Sequence, residues 1–216
     1  MSISNFKSTS TRDPKVISAL KLAQKKLNKF FGIKLELPPV VLLQSRREID
    51  KFWGKKTESW LCAWTKSETI YILDPKVFAK ESDHTAGQFW QVLVHEYVHL
   101  YYHIITDSNT GKPRWLNEGL ACYLAGQNKT IPAEGDLISL NGFFNVGGQK
   151  VYGVGYYWVK YLLDKYPQNK LLQLIRTVDS HTTARQFAYN FQDIYGFALT
   201  KSSLRHLAGK HSNNLK

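Results

Sequence analysis

The chain has 216 residues, room for one compact unit or two tightly packed lobes, and its 43% apolar content, with six Trp, twelve Tyr and eleven Phe, excludes a disordered polypeptide. Twenty-nine Lys and Arg against seventeen Asp and Glu give a formal charge of +12, scattered in short clusters such as Lys25-Lys26 and Lys55-Lys56. Such a surface attracts nucleic acid, anionic membrane or acidic proteins without choosing among them.

The two cysteines, Cys62 and Cys122, make no disulfide framework and fit a reducing compartment. No apolar leader core opens the chain and no run approaches transmembrane length, so a cytoplasmic protein without a membrane span is expected.

Residues 1–12 read as a flexible polar N-terminus. Asp13 as cap, Pro14 at the first helical position, and Ile17, Leu20, Leu27, Phe30 and Phe31 at helical spacing predict a helix that Gly32 stops. Residues 34–43 predict a strand, with Pro38-Pro39 forcing an edge or a break within it. Ser45 and Glu48 form a capping-box pattern for a short helix through Trp53. Strands over 59–65 and 68–73 follow as a hairpin turning near Lys66-Ser67.

The second half turns helical. Residues 84–105, with Asp83 as cap, carry apolar side chains around most of the circumference, which places that helix in the interior. A turn-rich loop over 107–113 leads to a second helix near Trp115. Beyond a Gly-rich loop (Gly142, Gly147, Gly148) come helices near 152–166, 168–178, 183–194 and 201–208. A small sheet followed by helices is an α+β order. The expected organisation is a single domain over 13–210, with helix and sheet in 13–83 and mainly helix in 84–210.

The central helix contains His95-Glu96-Tyr97-Val98-His99, an H-E-x-x-H motif. Residues four apart on a helix share a face, about 5–6 Å between Cβ atoms, so both imidazoles can converge on one ion. Glu96 stands one position on, beside the metal rather than on it, where it can take a proton from the water that the metal activates. A site of this class needs a third protein ligand and leaves the fourth position open. Glu118 qualifies: it lies beyond eighteen intervening residues, in Trp115-Leu116-Asn117-Glu118-Gly119-Leu120-Ala121. A loop of that length lets the second helix fold back antiparallel, with Gly119 permitting close packing of the two helices. The set His95, His99 and Glu118 with one open position suits a single Zn²⁺.

H-E-x-x-H, eighteen residues, then W-L-N-E-G-L-A resembles the gluzincin clan of zinc peptidases. It is most similar to the zinc aminopeptidases related to leukotriene A4 hydrolase and to the smaller peptidase-MA-like proteins. The resemblance spans roughly residues 68–200 and implies a zincin-like minimal gluzincin fold, with a small sheet packed on the H-E-x-x-H helix. Val151-Tyr152-Gly153-Val154-Gly155 resembles the V-Y-x-x-G turn of those aminopeptidases. That match makes Tyr152 the hydrogen-bond donor to the oxyanion, with Tyr156 and Tyr157 as neighbouring alternatives. The family also implies that substrate backbone pairs with an edge strand, here Thr69-Ile70-Tyr71-Ile72-Leu73.

Two features depart from the pattern: there is no G-x-M-E-N segment to anchor a free amino terminus, and no large N-terminal β-domain. The implied function is zinc-dependent hydrolysis of peptide or protein substrates, as an endopeptidase, with Glu96 and Tyr152 catalytic. The alternatives are an aminopeptidase on short peptides and a basic binding protein that retains a metal site. Nucleic acid is suggested by charge alone and is not favoured.

Among the remaining residues, His103 drifts about 40° round the helix from the motif and reads as core or supporting histidine. Cys122 reads as small buried packing and Asn117 as an orienter of a ligand. His84, His181, His206 and His211 show no partner pattern.

Overall fold

The structure, a computed structural model, describes residues 11–212, with side chains described through residue 208. The expected flexibility of residues 1–12 falls almost wholly outside that range. Contacts divide the chain into two units, Met1–Leu100 and Tyr101–Lys216, and the division falls within one continuous helix.

In the first unit, the Asp13 carboxylate accepts from the Lys15 N–H (2.8 Å) and Gly32 closes helix α1 (Pro14–Phe31) at φ 70°. That left-handed geometry is the one glycine adopts without Cβ strain. Val16, Leu20, Ala23, Leu27 and Phe31 form its buried stripe. The strand expected over 34–43 is shorter: β1 covers Val40–Leu43 and begins after Pro38-Pro39, whose missing N–H groups cannot join a ladder. Helix α2 (Arg46–Trp53) follows, but Ser45 makes no side-chain cap bond. Glu48 instead accepts from the Gln44 N–H at 2.8 Å, so only half of the expected box forms, one residue early.

Strands β2 (Ala63–Lys66) and β3 (Thr69–Leu73) form the predicted hairpin. Its two turn residues, Ser67 (φ 47°) and Glu68 (φ 58°), are both left-handed, as a tight hairpin turn demands. The sheet order is β1-β3-β2, with β3 parallel to β1 and antiparallel to β2. Thr69–Leu73 is therefore the central strand rather than the free edge that the family pattern implied, because β1 and β2 occupy both of its flanks. The outer side of β1 already accepts one bond, from the Thr11 N–H to the Val40 carbonyl at 2.7 Å. On β2 the ladder bond from the Leu73 N–H to the Cys62 carbonyl sets the alternation, which turns the peptide groups of Ala63 and Thr65 away from β3.

The loop entering β2 is held by one side chain. The Arg46 guanidinium donates to the carbonyls of Glu58 (3.1 Å), Ser59 (2.9 Å) and Leu61, and also to that of Glu81. Five donors in a rigid fork suit such a cluster of carbonyls. Helix α3 (Pro75–Glu81) repeats the Asp-Pro start of α1, with Asp74 accepting from the Lys76 N–H at 2.9 Å. Helix α4 (Phe89–Ile105) begins later than expected. Thr85 and Gln88 form a capping box over a single 3₁₀ turn, Ala86–Gln88, while Asp83 accepts from the Ser59 hydroxyl at 2.7 Å.

The second unit is helical: α5 (Arg114–Leu124), α6 (Glu134–Leu137), α7 (Gln149–Lys165), α8 (Gln168–Arg176), α9 (Ala184–Tyr195) and α10 (Lys201–Ser212). Of these the sequence pattern misses the short α6, as it misses α3 in the first unit. No helix among the described residues is long and apolar enough to cross a membrane. An α+β architecture of a small sheet and many helices is what the element order predicted.

Gly119 packs α5 against α7: a Cβ at Gly119 would stand 2.2 Å from the Gly155 carbonyl carbon, and one at Gly155 would stand 2.1 Å from the Trp115 oxygen. The obstacles are backbone, which cannot rotate away. Gly119→Ala and Gly155→Ala should each lower stability by roughly 3 kcal/mol or more in thermal or urea unfolding. Gly87→Ala, which meets nothing within 4 Å, should change it by less than about 1 kcal/mol.

Candidate metal centre

Helix α4 presents His95 and His99 one turn apart, their ring centroids 4.7 Å apart and their planes at 86°. Near-perpendicular rings at that spacing meet edge to face and are not stacked. Helix α5 supplies Glu118, next to the Gly119 contact with α7. One ligand atom from each of His95, His99 and Glu118 lies within 4.8 Å of the other two, and this group could hold a metal ion. Ligands about 2.0–2.2 Å from a tetrahedral ion stand about 3.4 Å from one another, so small side-chain adjustments suffice to close the set.

Glu96 is buried, at 7% exposure, and His95 beside it at 6%. A charged carboxylate withdrawn from water needs hydrogen bonds or opposite charge. Thr65 of β2 supplies one: its hydroxyl stands 2.9 Å from Glu96 Oε2 and 3.1 Å from the Glu96 carbonyl oxygen. Among the described residues Oε1 accepts no protein hydrogen bond. Cys62, at the entrance to β2, is buried too. Burial first, then the nearby Glu96 charge, push its thiol up to about 12, which keeps it protonated and inert at neutral pH.

Tyr152 lies on α7, half-buried, with the Lys129 ammonium 5.7 Å from its ring centroid. It precedes by one helical turn the Gly155 that meets Gly119. Of the two alternative tyrosines, Tyr156 donates to Asn128 Oδ1 at 2.9 Å, and Tyr157 to the Ala208 carbonyl at 3.4 Å. The Asn117 amide donates to the Gly111 carbonyl at 3.4 Å, tying the 107–113 loop to α5. Cys122 is fully buried, in keeping with a packing role. His84 stacks on Phe78 with centroids 5.7 Å apart, while His181 and His206 are exposed; the His211 side chain lies outside the described residues. Thr65 and Arg46 escaped the sequence reading. A hydroxyl on a strand and an arginine opening a helix carry no motif, and only the sheet pairing reveals what they reach.

None of the family models, curated proteins or solved structures compared with the chain matches it.

The three-residue group predicts one tightly held divalent ion per chain by elemental analysis after dialysis. Added metal should raise the unfolding temperature in proportion to the logarithm of its excess over Kd. His95→Ala, His99→Ala and Glu118→Ala should each weaken binding at least about 10-fold and lose most of that thermal shift.

Proposed function

We propose that the protein is a zinc-dependent endopeptidase of the gluzincin type. The observation that carries this reading is a buried carboxylate, Glu96, one residue from His95 on the helix whose two imidazoles converge with Glu118. A purely structural metal site has no use for such a group, and burying it unpaired is costly. The two-imidazole, one-carboxylate donor set favours zinc among the common divalent ions and leaves room for a fourth, exchangeable ligand. Zinc there would supply Lewis acidity, making water a nucleophile near neutral pH and polarising a carbonyl.

The chain's own residues then divide the remaining work. Glu96 takes the proton of the attacking water on the carboxylate oxygen that Thr65 does not occupy, and hands it to the departing amine. Tyr152 donates a hydrogen bond to the oxyanion of the tetrahedral intermediate, a donor set in place before charge develops. Substrate backbone lies along β2, where the outward peptide groups of Ala63 and Thr65 are the available ladder. Backbone pairing binds extended peptides with little regard to side chain, and needs no free amino terminus.

A pool of peptides, half with acetylated amino termini, tests the reading by mass spectrometry. Zinc-loaded protein should cut both halves internally, and Glu96→Gln should retain zinc while losing at least about 1,000-fold in kcat. Trimming of the unblocked half alone would make the protein an aminopeptidase. No zinc-dependent cleavage in either half, or full activity in Glu96→Gln, would contradict the proposal.

A further inference from the structure

The hydroxyl of Thr65 has one proton and two acceptors within reach, Glu96 Oε2 at 2.9 Å and the Glu96 carbonyl at 3.1 Å. The carbonyl lies in mid-helix, where the peptide N–H four residues on already serves it, so the charged carboxylate is the stronger claimant. This is the one side-chain hydrogen bond on the Glu96 carboxylate among the described residues, and it comes from a strand rather than from Glu96's own helix. Thr65 is well held for that purpose. It pairs with Ile70 in the ladder, follows Trp64, whose ring stacks on Tyr71 at 5.2 Å, and lies downstream of the loop gripped by Arg46. As a β-branched residue in a strand it has few rotamers to lose.

We propose that Thr65 is a positioning residue for the Glu96 carboxylate. By occupying Oε2 it fixes the side-chain torsions of a group with three rotatable bonds, and thereby presents Oε1 to whatever binds at the metal. Because Thr65 sits on β2, the strand assigned to substrate, the base and the backbone template are parts of one rigid hairpin. The inference rests on the function proposed above, but the Thr65 contact can be tested without turnover.

Thr65→Val keeps the shape and the strand preference while deleting the hydroxyl; Thr65→Ser keeps the hydroxyl. Zinc-loaded wild type and both variants are compared in two ways: kcat and KM on an internally cleaved peptide, and the Kd of acetohydroxamate by calorimetry. Acetohydroxamate serves as a zinc-binding probe whose hydroxyl and N–H seek an acceptor beside the metal. Zinc content and unfolding temperature are recorded for each.

Thr65→Val should bind zinc as wild type does, lose about 10-fold or more in kcat with KM changed less than about 2-fold, and bind the probe at least about 5-fold more weakly. Thr65→Ser should recover most of both losses. A merely structural role would lower the unfolding temperature without this split or this recovery. Unchanged kcat and unchanged probe affinity in Thr65→Val would overturn the proposal, as would a Thr65→Ser variant no better than Thr65→Val. If wild type binds zinc and the probe but cuts no peptide, the peptidase reading fails, and the probe series alone decides for or against Thr65.

Discussion

Burying a carboxylate beside two imidazoles is the constraint on which the site depends. Glu96 and His95 are each less than a tenth exposed, so neither can rely on water to solvate a charge. Glu96 is offset by the Thr65 hydroxyl, and His95 by a cluster whose third member arrives from another helix. The His95, His99 and Glu118 group could hold a metal ion, whose positive charge would offset the buried Glu96 carboxylate better than a neutral partner. The nearby thiol follows the same field, with Cys62 kept protonated by burial and by the charge on Glu96.

Two pieces of packing deliver the side chains. On one side, the Arg46 guanidinium gathers four carbonyls and steadies the approach to β2, which places Thr65 at its ladder position opposite Ile70. On the other, Gly119 and Gly155 let α5 and α7 meet backbone to backbone. Glu118 adjoins one glycine and Tyr152 stands a turn before the other, so a methyl group at that crossing would disturb two candidate site positions at once.

Much of this was legible in the chain, and the failures have physical causes. The H-E-x-x-H spacing and the later Glu118 identify the cluster because helical geometry converts a four-residue interval into proximity. Asp13-Pro14-Lys15-Val16 marks a helix start; the same four residue types recur at 74–77 and start α3, a signal hidden there by the shortness of the helix that follows. The start of α4 was misplaced because Asp83 and Thr85 are both good caps, and only the reciprocal bond with Gln88 separates them. Strand order was not legible. Local patterning predicts a hairpin, but the parallel pairing of β1 with β3 is a long-range contact, and it turns the supposed edge into the centre. The Gly155 contact of Gly119 was hidden for a related reason, since a small residue announces a close approach without naming what approaches.

The central claim is that His95, His99 and Glu118 bind one zinc ion and leave a position open. X-ray absorption at the zinc edge, on wild type and Glu118→Gln loaded with one equivalent, tests it most directly. The account predicts about four light donors near 2.0–2.1 Å, with imidazole scattering from two histidines and no sulfur, and a first shell altered in the variant. Sulfur ligation, a hexahydrate-like shell, or identical spectra for wild type and Glu118→Gln would contradict it.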